Sequence, residues 1–205
     1  MILLILFVTL FSSCTKESLP PSSQWQVFHA RELIEDTRPP IYRSLVPNNW
    51  VRQDTKLTLP VKDTTKPICE FLIKEEGKVV RITIHTFPVG IPAEWQVKRW
   101  KGQFNSMDPF SFQEKKISQG GFSGLFYESE GILQGFPGKM MAWSMLLAPV
   151  YEKLLSQNAS PFSQIKRADY TIKAVGPVDL MNKHKEDLHC FANHFELIDP
   201  LPFPP

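Results

Sequence analysis

The sequence has no excess of charge of one sign, no hydrophobic run of membrane-spanning length, and few cysteines. Its 23 Lys and Arg residues nearly balance 21 Asp and Glu residues, which gives a net charge of +2. Nucleic-acid-binding proteins concentrate positive charge on one surface, so this balance predicts no nucleic-acid partner. The hydrophobic run at residues 2–11 is about half the length of the ~20 residues that a membrane-spanning helix requires.

Proline, in contrast, is abundant. The chain has 18 prolines in 205 residues, which is about 9% against a typical ~5%. Because proline interrupts helices, this content favours short elements with rigid connections over a bundle of long helices. Hydrophobic residues make up 42% of the chain and charged residues 21%, a composition that can form a packed core and that differs from that of disordered proteins.

The N-terminus has the features of an export signal. Residues 2–11, ILLILFVTLF, match the hydrophobic core of a secretory signal in length. The motif that follows, Phe11-Ser12-Ser13-Cys14, resembles the lipobox of bacterial lipoprotein precursors. It departs from the family pattern at Phe11, where Leu, Val or Ile is usual, and no Lys or Arg precedes the hydrophobic run. An ordinary secretory signal and an uncleaved N-terminal anchor are the alternatives.

The lipobox resemblance implies a lipid-anchored protein of the bacterial cell envelope. In that family, the signal peptide, here residues 1–13, is removed, and the cysteine, here Cys14, carries an S-diacylglycerol group and an N-acyl chain such as palmitate. Residues 14–23 are rich in Pro and Ser and would form a flexible tether from the membrane to a folded domain. Thr15 follows the cysteine where Asp would favour the inner membrane, so the outer membrane is favoured if the bacterium is Gram-negative.

Lipidation of Cys14 would leave Cys69 and Cys190 as the remaining cysteines. Outside the cytoplasm these two could form a disulfide. Two buried thiols are the alternative, since cysteine also packs as a small hydrophobic residue.

Hydrophobic periodicity predicts an α+β domain over residues 24–199, followed by a proline-rich tail at 200–205. Residues 24–35 favour a short helix or strand, and residues 41–51 are extended in character. Alternating apolar residues predict a hairpin, with strands at 69–74 and 79–87. Pro92 opens an amphipathic helix whose buried face would comprise Ala93, Val97, Trp100 and Phe104.

The hydrophobic pattern in the second half of the domain predicts a run of strands and a final helix. The strands fall at residues 112–117, 124–130, 139–147 and 168–175, with turns at 120–121 and 135–138. The final helix opens at Gly176-Pro177, with a buried stripe of Met181, Leu188, Phe191, Ala192 and Phe195.

Three segments carry a resemblance to the PsbP/Mog1-like group and to bacterial lipoproteins with the same order of elements. They are residues 45–50, residues 93–104, and residues 170–195. The middle segment ends in the W-x-G-Q motif Trp100-Lys101-Gly102-Gln103, and the last contains the strand-Gly-Pro-helix sequence Val175-Gly176-Pro177. The resemblance implies an α/β/α sandwich with an antiparallel sheet flanked by helices and the C-terminal helix packed on it. Characterised members mostly bind other proteins.

Few residues suggest chemistry, and no catalytic motif or cofactor site is predicted. Cys190 and His194 are four residues apart on the final helix, a spacing that can hold two metal ligands. A complete site would take a further ligand from His29, His85 or Cys69, whereas ordinary surface and semi-buried histidines are the alternative. The glycine-rich stretch at 119–124 lacks the Gly-Lys-Ser/Thr ending of a phosphate loop, so a hairpin turn is expected.

One surface is a candidate for contact with a partner. Trp95, Lys98 and Arg99 should lie on the outer side of the middle helix, with Lys101 nearby, where they could contact an anionic partner or lipid headgroups. We therefore expect a non-catalytic binding or assembly protein of the envelope, with an envelope protein as its partner. An envelope metalloprotein or enzyme using Cys190 and His194, and a carrier of small apolar ligands, are the alternative functions.

Overall fold

The structure, a computed structural model, describes residues 22–29, 40–54, 67–87, 91–151 and 169–199. The predicted signal peptide, Cys14, nearly all of the tether and the proline-rich tail lie outside these ranges, so the lipidation site stays a prediction.

The described residues form strands and short helices in an order close to that predicted. The strands are β1 (Ser23–Phe28), β2 (Tyr42–Pro47), β3 (Val51–Asp54), β4 (Cys69–Glu75), β5 (Lys78–Phe87), β6 (Phe104–Met107), β7 (Gln113–Gln119), β8 (Phe122–Leu133), β9 (Phe136–Leu147), β10 (Asp169–Gly176) and β11 (Glu196–Leu197). The helices are α1 (Ala93–Lys101), α2 (Val178–Lys183) and α3 (Lys185–Asn193).

Two antiparallel sheets organise the domain. The larger sheet has the strand order β3-β4-β5-β10-β9-β8-β6, with β7 also paired to β8, and the smaller has the order β1-β2-β11. Helix α1 packs against β8 and β9, α2 packs against β5, β9 and β10, and α3 packs against β2. The prediction of an α+β fold, with an antiparallel sheet flanked by helices and the C-terminal helical region packed on it, is therefore confirmed.

Tight two-residue turns connect the hairpins. Glu76 and Gly77 join β4 to β5 with φ angles of 49° and 75°, and Gln134 and Gly135 join β8 to β9 with φ angles of 52° and 90°. These left-handed conformations suit the twist of paired strands and favour glycine at the second position. The predicted turn at 135–138 is therefore too long, because β9 already begins at Phe136.

The turn was misplaced because Pro137 stands inside β9. Pro137 pairs with Ile132 of β8, but β10 reaches along β9 only as far as Lys139. The missing N–H of Pro137 therefore faces a side of β9 that β10 does not occupy, so the proline interrupts no ladder there.

The helix boundaries also differ from the prediction. Helix α1 ends at Lys101, and Phe104 begins β6 instead of continuing the helical face. The predicted final helix is two helices that meet at His184, which is the C-cap of α2 and the N-cap of α3. The predicted stripe of apolar residues is nevertheless buried, since periodicity depends on the inward direction of these side chains and not on an unbroken helix.

The larger sheet has a different layer on each face. On the face toward α2, α3 and the smaller sheet, apolar residues from all these elements form the main core, with Phe191 in ring contact with Phe28, Trp50 and Phe71. On the opposite face, a smaller core joins α1 to β8 and β9 through Ala93, Val97, Trp100, Leu125, Tyr127, Leu133, Met140 and Ala142.

Cys69 and Cys190 are both thiols, and no disulfide joins them. Cys69 is buried at the start of β4 within the main core, and Cys190 is half-buried on α3.

Candidate binding face on helix α1

Helix α1 buries one side and exposes the other. Ala93, Val97 and Trp100 contact the sheet, whereas the indole of Trp95 is 71% exposed. Lys98 and Arg99 are also exposed, and neither forms an ion pair with any residue in the described ranges. Because Trp95 precedes Lys98 by three positions and Arg99 by four, the three side chains are neighbours on the helix surface. The structure thus brings together the residues predicted for partner contact.

The flank of α1 that faces β7 is occupied by internal contacts. Lys101 donates a hydrogen bond to Glu114 over 3.0 Å, and its ammonium nitrogen lies 4.5 Å from the ring centroid of Phe112. Lys101 was expected to belong to the outer face with Trp95. In the structure, the ammonium group of Lys101 is paired with Glu114. Lys98 and Arg99 are then the cations of α1 that have no ion pair with a described residue.

The other flank of α1, toward β10, carries a group of polar and positively charged residues that we call the basic flank. It is defined by Arg81, Gln96, Arg99, Gln103 and Lys173. Lys173 of β10 donates a hydrogen bond to the side-chain oxygen of Gln103 over 3.3 Å, which fixes this flank of the helix beside the strand. Gln96 and Arg99 are three residues apart on α1, so they lie on the same flank of the helix. Gln103 follows Arg99 by four residues, in the turn after α1.

Lys173 is only partly exposed and contacts no carboxylate in the described part of the chain. Burial lowers the pKa of Lys173, and the positive charges of Arg99 and Arg81 lower it further. Arg81 is itself paired with Glu70 over 2.6 Å, and 60% of its side chain is exposed. The basic flank therefore combines three cations with a single neighbouring carboxylate.

Sequence reasoning missed Arg81 and Lys173 as members of this face. Val80, Ile82 and Ile84 of β5 lie in the main core. Because successive side chains of a strand point to opposite faces, Arg81 lies on the other face of the sheet. The register that pairs Lys173 with Thr83 and Val175 with Arg81 brings β10 next to it. The alternation was visible in the sequence, but the pairing of two strands about 90 residues apart was not.

The predicted pair Cys190 and His194 is also adjacent in the structure. The Cys190 sulfur lies 3.6 Å from Nδ1 of His194, and this nitrogen lies 2.8 Å from the carbonyl oxygen of Cys190. A carbonyl oxygen only accepts hydrogen bonds, so Nδ1 carries the hydrogen and is not available there as a metal ligand. In the ranges that the structure covers, no group of three or more His, Cys, Asp or Glu residues is arranged to hold a metal ion.

The other histidines proposed as ligands lie apart from this pair. His29 is exposed after β1, and His85 is half-buried on β5. His189 packs against the rings of Phe126 and Trp143. His184 lies between two carboxylates, with 2.8 Å from Nε2 to Glu75 and 3.1 Å from Nδ1 to Asp187.

A buried ionic network on the opposite face of the sheet has no counterpart in the sequence-based expectations. Lys139 of β9 lies 2.6 Å from Glu128 of β8 and 3.0 Å from Glu130, and it donates to Asn182 of α2 over 2.6 Å. Lys185 of α3 contacts Glu128 as well, over 2.8 Å. The side chains of Lys139 and Glu128 are only 5% and 4% exposed.

Electrostatics within this network favour the charged forms. Burial by itself would raise the pKa of Glu128, but the hydrogen bonds from Lys139 and Lys185 outweigh it and lower the pKa. Burial would likewise lower the pKa of Lys139, yet its bonds to Glu128 and Glu130 raise the pKa overall. The network joins β8 and β9 to α2 and α3, so its role is to hold the C-terminal helices on the sheet.

The aromatic residues that could have lined a ligand cavity pack against one another instead. Phe28, Tyr42, Trp50, Phe71, Phe122, Tyr170, Phe191 and Phe195 all make ring contacts within the main core. Two surface grooves of about 440 Å³ and about 300 Å³ are present. The larger lies between Ala93 of α1 and the β7–β8 hairpin, and neither groove reaches the aromatic core. This arrangement gives the carrier hypothesis no support.

None of the helices in the described ranges has the length and apolar character needed to cross a membrane.

No protein family and no curated protein matches the sequence. Solved structures are similar at low identity. One is the crystal structure of LpqN from Mycobacterium tuberculosis, described as involved in cell envelope biogenesis, with 12% identity, a TM-score of 0.47, and coverage of 88% of this chain and 92% of that chain. Another is the solution structure of PsbP from the cyanobacterium Synechocystis, with 13% identity, a TM-score of 0.48, and coverage of 91% and 98%.

Proposed function

We propose that this protein is a lipid-anchored component of the bacterial cell envelope that binds another envelope protein through the exposed side of α1 and catalyses no reaction. The observation that carries the proposal is the exposure of Trp95 beside Lys98 and Arg99, two cations that form no ion pair with the described residues. An exposed tryptophan gains free energy when a partner covers it, and Trp and Arg are the residue types that most often dominate protein–protein interfaces.

The location in the envelope depends on the N-terminal segment. The motif Phe11-Ser12-Ser13-Cys14 supports export and acylation of Cys14. Two or three acyl chains bind a membrane far more firmly than one, since each buried methylene contributes about 0.8 kcal/mol. The tether at 14–23 would leave α1 free to meet a partner near the membrane surface, and the outer membrane remains favoured over the inner.

Variants of the α1 face test the binding role. Envelope fractions solubilised in mild detergent should yield a reproducible partner with the unaltered protein, and much less of it with Trp95→Ala or with Lys98→Glu and Arg99→Glu combined. Lys115→Glu is the matched control, because Lys115 is an exposed lysine on β7 that forms no ion pair within the described ranges. Equal recovery with all the variants would exclude α1 as the binding face.

The anchor is tested separately by Cys14→Ala. This change should abolish incorporation of a labelled fatty acid and shift the protein from the membrane fraction to the soluble fraction after export. Persistent labelling of the Cys14→Ala protein would rule out the lipoprotein assignment, whatever the outcome for α1.

A further inference from the structure

The basic flank has more positive charge than the described residues neutralise. Arg81, Arg99 and Lys173 are close enough for the arginine charges to lower the pKa of Lys173, and Glu70 is the one carboxylate paired with them in the described ranges. Like charges held near one another cost free energy unless an anion or solvent screens them. Two positive charges are therefore left over at one place on the surface.

The donors of the basic flank come from three different elements. Arg99 belongs to α1, Arg81 belongs to β5, and Lys173 belongs to β10, while Gln103 lies in the turn after α1. A carboxylate has two oxygen atoms, whereas a phosphate group has up to four and can carry two negative charges. A phosphate group can thus accept hydrogen bonds from all three elements at once and match the excess charge.

Gln96 provides a second and independent observation. Its side chain is 2% exposed, and its amide oxygen has no hydrogen-bond partner within the described residues. A buried polar atom without a partner is unfavourable, and a bound ion or water is one of the explanations for such an atom.

We propose that the basic flank is a binding site for an oxyanion of the phosphate class, with Lys173 and Arg99 as its principal ligands and Arg81 and Gln96 in support. The site shares Arg99 with the partner contact proposed above but needs neither Trp95 nor Lys98, and it goes beyond the binding role proposed there. Phosphate in the envelope occurs both as a free monoester or inorganic ion and as the diester of a lipid headgroup. Both present the same oxygen atoms to the site.

Calorimetric titration of the full chain in detergent with inorganic phosphate, at an ionic strength held constant with chloride, tests the site. We expect saturable binding that Lys173→Gln and Arg99→Gln each weaken at least tenfold, while Lys115→Gln changes it less than twofold. Absence of saturable binding, or an equal loss in Lys115→Gln, would overturn the proposal, because either result would mean unspecific attraction between charges.

Glu70→Gln provides a test that a damaged fold cannot imitate. Loss of this carboxylate frees Arg81 and adds one uncompensated charge, so phosphate should bind severalfold more tightly to Glu70→Gln than to the unaltered protein. Unchanged or weaker binding by a folded Glu70→Gln protein would count against the site. Trp95→Ala should leave phosphate binding intact, which separates this result from the outcome of the partner experiment.

Two soluble probes distinguish the sources of phosphate. Glycerol 3-phosphate represents a free monoester, and glycerophosphoglycerol represents the headgroup of phosphatidylglycerol. Preferential displacement of phosphate by the first assigns the site to a small phosphorylated molecule, and preferential displacement by the second assigns it to the membrane surface. If neither compound displaces phosphate at tenfold excess, the site takes the inorganic ion alone.

Discussion

The two faces of the larger sheet differ in whether their charged side chains are paired with an opposite charge. On the face toward α2 and α3, Lys139 and Glu128 are almost fully buried and paired with each other over 2.6 Å. On the face toward α1, Lys173 is partly buried beside Arg99 and Arg81 without a carboxylate of its own in the described ranges. The first arrangement satisfies its charges internally, whereas the second has a surplus of positive charge among the described residues.

Aromatic residues show the same contrast. Phe191 is completely buried and contacts four other rings, but Trp95 is 71% exposed. Burial of apolar area stabilises the folded state, and exposure of an aromatic ring forgoes that contribution. We therefore expect the face of the C-terminal helices to contribute most of the stability of the fold, and the face of α1 to contribute the proposed binding of a partner. Changes on the two faces should accordingly separate these properties.

The largest effect is expected for Phe191→Ala. Removing this ring from the main core should lower the free energy of unfolding by about 4 kcal/mol, since large-to-small changes at buried aromatic positions cost both transfer energy and a cavity. Urea denaturation followed by tryptophan fluorescence measures the change. A loss below about 1 kcal/mol would mean that this face is not the principal source of stability.

Lys139→Met should have the next largest effect. It leaves Glu128 buried with Lys185 as its remaining cation, so a loss of about 3 kcal/mol is expected, at the lower end of the cost of breaking a buried ion pair. Exposed Lys115→Met should change the free energy of unfolding by less than about 0.5 kcal/mol under the same conditions. Comparable losses in the two variants would show that the network contributes no more than a surface charge.

Acid should weaken the same face by a smaller amount. Glu128 has a lowered pKa in the folded state, so its stabilisation is present above the unfolded pKa of about 4.3 and is lost as pH falls through the lower folded value. The slope of unfolding free energy against pH below about 4.3 should be shallower in Glu128→Gln than in the unaltered protein. Glu94→Gln, which removes an exposed carboxylate of α1, should leave the slope unaltered. An identical slope in all three proteins would remove Glu128 as a source of the acid response.

The smallest effect on stability is expected for Trp95→Ala, which should change the free energy of unfolding by less than about 0.5 kcal/mol. The same substitution should greatly reduce recovery of the envelope partner. A large loss of stability with binding retained would show that the face of α1 contributes to stability and not to partner binding.

Local pattern predicted most elements of the fold correctly. The alternation of Val80, Ile82 and Ile84 identified β5, and the position of Pro92 identified the start of α1, because both depend on residues close together in the sequence. The errors occurred where a tertiary contact determines the boundary. Phe104 has helical spacing from Trp100, yet it pairs with Leu133 as part of β6, and the chain from Gly176 onward bends at His184, where Glu75 and Asp187 hold the imidazole.

The candidate site was predicted in part for the same reason. Trp95, Lys98 and Arg99 share one short helix, so their spacing alone placed them together. Lys173 and Arg81 belong to strands far apart in the sequence. The buried pair Glu128 and Lys139 and the partly exposed Lys185 come from two strands and a helix. A charged residue is expected at the surface unless a partner of opposite charge meets it inside, and the sequence does not indicate which residues will meet.

The sequence by itself determined the balanced composition, the lipobox-like motif, the α+β order of elements and the exposed side of α1, because each is encoded in residues that are neighbours along the chain. Only the tertiary structure decided which cations are neutralised and which are not. Lys139 and Lys173 are both lysines on neighbouring central strands, but they point to opposite faces of one sheet. Lys139 contacts two carboxylates and an amide. Lys173 contacts an amide and has two arginines nearby. The difference arises because strand register and helix packing bring different residues to the two faces.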